Sequence, residues 1–89
     1  MNIRFDASSV RVRVTYDEAQ RLSQEGVLKD FWLTVRTDSS ELLILEKQGD
    51  GFLFRLPRRK LCDMLETATL EIEQEGELHL SFEIDRFTF

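Results

Sequence analysis

The sequence SVRVRVTYDEAQRLSQEG, residues 9–26, joins a strand pattern directly to a helix pattern. Its first part alternates valine with arginine, and a period of two places one apolar face inward. Thr15 and Glu18 then form a Thr-x-x-Glu capping box, and Gly26 can end a helix in the left-handed region. The pattern predicts a strand up to Thr15 and a helix over residues 16–25.

A similar junction recurs in the second half of the chain, where Pro57 favours the start of a second short helix. Each half follows the order strand, helix, strand, strand. We therefore predict two βαββ units that share one sheet, with both helices on its apolar side and the strand at 2–6 outside the repeat. The corresponding positions are Val12 and Phe54, Arg13 and Arg55, Val14 and Leu56, Thr15 and Pro57, Ala19 and Leu61, and Leu22 and Met64.

The remaining apolar patterns complete the predicted sheet. One strand is expected from Val27 through Arg36, with Phe31 on its inward face, and the unbroken apolar run over 42–45 favours a central strand covered on both faces. Further strands are expected after the turn at 48–51 and in a hairpin over 70–85. The sequence predicts an α+β domain, mainly antiparallel, with two short helices packed on one face.

Size and charge restrict the function classes. The 89 residues are expected to form a single domain, and the net charge of −5 disfavours general binding to nucleic acid or to a membrane surface. Cys62 is the only cysteine, which makes a reducing, cytoplasmic location the expectation. The sequence has no apolar run of the length that a signal peptide or a spanning helix needs.

The opening of the chain resembles a family of small uncharacterised bacterial proteins, a domain of unknown function. The likeness is carried by Ile3-Arg4, by residues 9–15 and by Glu18. Leu56-Pro57 is similar to that family's mid-chain strand, and residues 83–87 are similar to its closing segment. Ala7-Ser8 departs from the family's glycine and asparagine. The resemblance implies a bacterial source and carries over no activity and no site residue.

No catalytic residue, cofactor or metal site is predicted. His79 is expected to be a solvated histidine on the polar side of a strand, and Cys62 a largely buried, inert thiol. The carboxylates of Glu71, Glu73 and Glu75 fall on one face, with Glu77, Glu83 and Asp85 near them. A solvated acidic face is the favoured interpretation over a cation site.

Basic residues at the start of the second helix form the first candidate site. Arg55, Arg58, Arg59 and Lys60 carry four positive charges with no acid between them, and a helix N-terminus favours anions. Arg13 is expected to assist if the repeat places it beside Arg55. An ordinary network of surface ion pairs with the acidic residues of the C-terminal part is the competing explanation.

Apolar residues on an outward face form the second candidate site. Trp32 is expected on the face opposite Phe31, together with Leu53, and Phe87 and Phe89 are candidates to cover this face. A second subunit is the alternative cover.

These features predict a non-enzymatic binding or assembly module, dimeric through the Trp32 face, whose partner is a protein or a second copy. The alternatives are a small enzyme or sensor that binds an anionic ligand at Arg55 to Lys60, and an acidic immunity or inhibitor protein that contacts a basic partner through its acidic hairpin.

Overall fold

The computed structural model describes residues 1–67, 69 and 71–85, which form eight strands and two helices. The strands are β1 (Asn2–Phe5), β2 (Ser9–Thr15), β3 (Val27–Asp30), β4 (Leu33–Asp38), β5 (Ile44–Gln48), β6 (Gly51–Pro57), β7 (Glu71–Gln74) and β8 (His79–Asp85). The helices are α1 (Tyr16–Glu25) and α2 (Arg58–Glu66). The α+β class predicted from the sequence is confirmed.

The strands form two four-stranded sheets, in the orders β1-β2-β8-β7 and β3-β4-β6-β5. The outer pairs of each sheet are antiparallel, whereas the central pairs β2–β8 and β4–β6 are parallel. The expectation of a single sheet is therefore wrong, and each sheet is mixed.

The internal repeat is present, but its unit is ββαββ. β1 corresponds to β5, so the strand at 2–6 belongs to the repeat instead of lying outside it. Each half contributes two strands to each sheet: the first half provides β1 and β2 to one and β3 and β4 to the other. The two halves are consequently interlocked, which a pattern of apolar residues does not reveal.

The helix α1 begins and ends where the sequence predicts. The Thr15 side chain accepts a hydrogen bond from the Glu18 N–H (3.1 Å), and the Glu18 carboxylate accepts one from the Thr15 N–H (2.9 Å). Gly26 follows at φ 80°, a conformation that costs glycine little, and its N–H donates to the Leu22 carbonyl. The capping box and the terminal glycine thus fix both ends of the helix.

The segment from Val27 is a hairpin and not one strand. Phe31 and Trp32 form a two-residue turn between β3 and β4, with Asp30 paired to Leu33. The prediction that Phe31 faces inward is wrong, because its side chain is 94% exposed. The turn carries no glycine, asparagine or proline at its two central positions, so the usual signal for a hairpin is missing.

The apolar run over 42–45 does not form a central strand. β5 begins only at Ile44 and lies at the edge of its sheet, beside β6. Leu43 is buried, whereas Leu42 is exposed. Leu43 enters the core from the loop before the strand, and Leu45 packs against that core from β5.

The core lies between the inner faces of the two sheets and the helices. Phe54 of β6 and Phe82 of β8 face each other across it with ring centroids 6.5 Å apart. The helices contact each other, and α1 also contacts strands of both sheets. Their buried residues, Ala19, Leu22, Leu61 and Met64, join the same apolar cluster as the inner residues of the strands.

Gly51 allows the turn at Phe31 and Trp32 to approach β6. The Phe52 N–H donates a hydrogen bond of 2.7 Å to the Trp32 carbonyl. A Cβ atom added at Gly51 would lie 2.2 Å from that carbonyl oxygen, which is backbone and cannot rotate away. The close contact therefore requires glycine.

We expect Gly51→Ala to lower the free energy of unfolding by about 3 kcal/mol, at the upper end of the usual overpacking cost. Gly76→Ala is the matched control, because its added Cβ would meet only the Leu78 carbonyl at 3.6 Å. Urea denaturation of both variants measures the difference. Equal stabilities would contradict the proposed steric role of Gly51.

Candidate functional site

Four aromatic side chains, Phe5, Phe31, Trp32 and Phe52, form an exposed surface that we call the aromatic end. The Trp32 ring packs edge-on against Phe5 (centroids 4.8 Å apart) and against Phe52 (6.2 Å). Phe5 belongs to one sheet and Phe52 to the other, so these rings close one end of the space between the sheets. Trp32 nevertheless remains 43% exposed, as does Phe5.

Phe31 stands out in the aromatic end because it is both exposed and strained. Its φ of 46° lies in the left-handed region, and among the described residues it is the one non-glycine with a positive φ. A bulky side chain in this region is a genuine outlier. The ring is almost fully solvated, so burial within the chain does not compensate the strain.

A cleft of about 570 Å³ adjoins these rings on the outer side of the sheet that contains β3 and β6. Val27, Trp32 and Phe52 contribute apolar lining. Lys29, Arg36 and Asp50 add two positive charges and one negative charge, and none of the three forms an ion pair within the described ranges 1–67, 69 and 71–85. We call this feature the aromatic cleft.

The structure separates Trp32 from the other predicted interface residues. Leu53 lies on the outer face of β6, paired with Thr34 and Glu46, and is only 6% exposed. Trp32 occupies a turn, so strand alternation does not determine its direction. Phe87 and Phe89 lie outside the described residues.

Arg55 is held by two carboxylates on the outer face of its sheet. Its Nε donates to Asp38 Oδ2 at 2.6 Å, and its Nη1 donates to Glu46 Oε1 at 2.8 Å. Partial burial of Asp38 raises its pKa, but hydrogen bonds from Ser40 and Arg55 outweigh this effect and lower the pKa to about 2. Both acids also raise the pKa of Arg55 through their hydrogen bonds. Arg55 is thus engaged in an ion-pair network.

Arg58, Arg59 and Lys60 border a separate cleft of about 470 Å³ at the start of α2, which Ser40 and Glu41 also line. Arg13 does not join them. It lies on the other sheet, 3.7 Å from Glu83 and 3.6 Å from Asp85. The repeat gives Arg13 and Arg55 equivalent positions, but those positions belong to different sheets.

The acidic residues of β7 and β8 share the outer face of the other sheet, as predicted. Glu71 is paired in register with Glu83. A hydrogen bond with Glu73 raises the pKa of Glu71, and burial and the nearby charges of Glu73 and Glu83 add to this effect. His79 Nδ1 lies 2.6 Å from Glu75 Oε1, so the histidine is paired with the acidic turn instead of being simply solvated.

Cys62 is exposed, which corrects the expectation of a buried thiol. The buried stripe of α2 is formed by Leu61 and Met64, and Cys62 follows Leu61 by about 100° around the helix.

In residues 1–67, 69 and 71–85, no group of three or more His, Cys, Asp or Glu side chains is arranged to hold a metal ion.

Arg4 and Arg11, which no sequence motif marks as a site, lie directly opposite each other on β1 and β2. Both strands alternate arginine with apolar residues, so a predicted pairing of β1 with β2 would place the two arginines on the same face of the sheet. The missing information was the register of the hairpin.

No helix in the described part of the chain is both long and apolar enough to cross a bilayer. Comparison of the chain with protein-family models, with curated proteins and with solved structures gave no match. The resemblance noted from the opening of the chain therefore stays a prediction.

Asp38→Asn is expected to lower the free energy of unfolding by about 1 kcal/mol at pH 7, after allowance for solvent screening of a partly exposed pair. The folded-state pKa of about 2 lies below the usual value of 3.8, so this stabilisation is present above pH 4 and is lost as the pH falls toward 2. Chemical denaturation at pH 7 and pH 2 measures it. Glu41→Gln, in the loop that follows β4, is the control; equal losses in both variants would contradict the assignment to the Asp38–Arg55 pair.

Glu71→Gln is expected to have the opposite effect. The pKa of Glu71 is raised in the folded state, so its ionisation opposes folding, and this cost is complete once the pH has risen above the folded-state pKa. The substitution should raise the thermal midpoint at pH 7 and leave it unchanged at a pH low enough to protonate the carboxyl in both states. A lower midpoint at pH 7 would show that the Glu71–Glu73 contact is net stabilising.

Proposed function

We propose that the protein is a non-enzymatic assembly module that forms a two-fold homodimer through the aromatic end and the aromatic cleft. One observation carries the proposal: Phe31 is held at a φ of 46° with 94% of its surface exposed. Such strain persists only where surrounding structure or function maintains it. Burial of the Phe31 ring against a partner would compensate that strain.

A two-fold interface would pair this surface with its own copy. Phe31 is itself one of the residues that line the aromatic cleft, together with Trp32, Phe52 and Val27, and it is 94% exposed. In a two-fold interface each subunit presents the same patch, so each would insert its Phe31 ring into the aromatic cleft of the other. This arrangement favours a second copy as the occupant.

The charges of the aromatic cleft also support a second copy. Lys29 and Arg36 are positive and Asp50 is negative. Across a two-fold axis, Asp50 of one subunit would face Lys29 or Arg36 of the other, and the opposite contact would form by symmetry. A partner of uniform charge would leave one sign unmatched.

The expected dimer depends on protein concentration. Burial of Phe31 and Trp32 in both subunits contributes roughly 1.5–3 kcal/mol for each side chain when complete. The loss of rotational and translational freedom costs about 4–15 kcal/mol. The balance of these two free energies predicts weak association, so the molar mass in solution must be measured over a range of protein concentrations.

Phe31→Gly tests the proposal without endangering the fold. Glycine accepts a positive φ, so the variant should unfold with a free energy about 1 kcal/mol higher when both proteins are compared at concentrations where wild type is monomeric. Light scattering after size-exclusion chromatography should show wild type approaching the dimer mass at high concentration and Phe31→Gly remaining monomeric. Leu42→Ala, which removes a 56% exposed leucine elsewhere, should behave as wild type.

A charge exchange tests the geometry of the interface. Asp50→Lys would leave the aromatic cleft uniformly positive and should abolish the dimer. Adding Lys29→Asp should restore it if the two positions face each other across the two-fold axis. A wild-type chain that stays monomeric at every concentration would overturn the proposal, as would dimerisation of Phe31→Gly with unchanged affinity.

The proposal assigns no catalytic residue and no cofactor, and places the protein in the cytoplasm, since the exposed free thiol of Cys62 suits a reducing compartment.

Anion binding at the start of α2 is the second candidate function. The cleft beside Arg58, Arg59 and Lys60 favours it, and none of these three side chains forms an ion pair within the residues described.

A further inference from the structure

The outer face of the sheet formed by β1, β2, β8 and β7 contains two arginines that no carboxylate neutralises directly. Arg4 and Arg11 are directly opposite each other in the β1–β2 register. Neither forms an ion pair with any residue in the described part of the chain. Like charges at directly opposed positions destabilise a sheet. A bound anion would remove this repulsion.

Ser81 provides a second, independent observation at the same place. It is the β8 neighbour of Arg11 and is 1% exposed. Its hydroxyl makes no hydrogen bond to any of the residues that the structure describes, and a buried hydroxyl without a hydrogen bond is destabilising. Ser81, Arg4 and Arg11 line one cleft of about 190 Å³. The hydroxyl is thus a buried polar group without a partner among the described residues. It lies beside two arginines that form no direct ion pair there, although the charge of Arg11 also acts on Glu71 and opposes the rise in its pKa.

We propose that this cleft binds the phosphate group of a small phosphorylated molecule. Two guanidinium groups can each donate paired N–H bonds to phosphate oxygens, and the Ser81 hydroxyl can donate a further bond. His79 lines the same cleft, but both of its ring nitrogens face carboxylates: Nδ1 lies 2.6 Å from Glu75 Oε1, and Nε2 lies 3.9 Å from Glu73 Oε1. The donors available to a ligand are therefore those of Arg4, Arg11 and Ser81. A doubly charged tetrahedral group satisfies more of these donors than a planar carboxylate does.

Asp6 also borders the cleft, but its oxygens already have donors. Oδ1 accepts from the N–H groups of Ser8 and Ser9, and Oδ2 accepts from the Ser9 hydroxyl at 2.8 Å. These bonds lower the pKa of Asp6 and keep it charged, so the cleft retains a net positive charge from the two arginines and the one acid.

The surroundings select a small ligand over a polyanion. Glu73 is paired in register with Ser81, and Glu71 and Glu83 lie beyond it on the same face. A nucleic acid or an anionic bilayer would meet these carboxylates as well as the net charge of −5. A single phosphate group at the arginines would meet fewer of these carboxylates than an extended polyanion would.

The test is a titration of isotopically labelled protein with inorganic phosphate, followed by two-dimensional ¹H–¹⁵N NMR at constant pH and ionic strength. Saturable shifts are expected at the amides of Arg11 and Ser81 and at the Nε–H signals of Arg4 and Arg11. Glycerol 3-phosphate should bind at least as tightly as inorganic phosphate, and acetate more weakly. Shifts that grow without saturation, or equal affinity for acetate, would overturn the proposal.

Three variants locate the site. Arg11→Gln should weaken phosphate binding at least about tenfold, as expected for the loss of a charge-assisted hydrogen-bonding group. Ser81→Ala should keep the fold, because it removes an unpartnered hydroxyl, yet weaken binding by about tenfold. Arg59→Gln, at the start of α2, should leave the affinity unchanged. A loss of binding in Arg59→Gln alone would overturn the proposal and move the anion site to the helix.

Vesicles of phosphatidylcholine with phosphatidic acid separate a free ligand from a lipid headgroup. The proposal expects the protein to stay in the supernatant when these vesicles are sedimented. Sedimentation of wild type but not of Arg11→Gln would overturn the assignment to a small soluble ligand.

Discussion

Two parallel strand pairings, β2 with β8 and β4 with β6, hold the molecule together. Each joins a strand of the first half to a strand of the second half, so neither half can complete a sheet alone. The same pairings bring Phe82 beside Val12 and Phe54 beside Val35, and these residues form the centre of the core. The helices then cover a core that already contains both halves. The surface features depend on this arrangement, because the outer faces of the central strands carry the charged residues.

Local structure was predictable where the decisive residues are close in sequence. Three such features are present in the structure: the capping box of Thr15 and Glu18, the terminal Gly26 and the hairpin at 48–51. Each is defined by residues that are only a few positions apart in the sequence. The number of sheets was not predictable in this way. Alternation assigns a residue to a face, but it does not say which distant strand lies alongside, and the parallel pairings connect residues far apart in the chain.

The candidate sites divide in the same way, into features that nearby residues predict and features that depend on distant strands. Arg55 was selected from the sequence, yet its engagement by Asp38 and Glu46 depends on β4 and β5 flanking β6. Arg4 and Arg11 cannot be recognised as a pair from the sequence, because each lies in an ordinary alternating strand pattern. The sequence predicts Phe31 on the inward face because its turn lacks the residues that usually mark a hairpin turn. In each case the missing information was a register or a backbone angle, and side-chain type alone carries neither.

The interlocked halves also affect how the chain is made. During synthesis β2 emerges from the ribosome long before β8, its central partner, has been translated. Until then Val10, Val12 and Val14 have only the β1 hairpin beside them, and one strand edge stays open to other nascent chains. The arginines that separate these valines, Arg11 and Arg13, are charged interruptions of the kind that discourages such edges from aggregating. The spacing that defines the strand therefore also protects it while its partner is still being made.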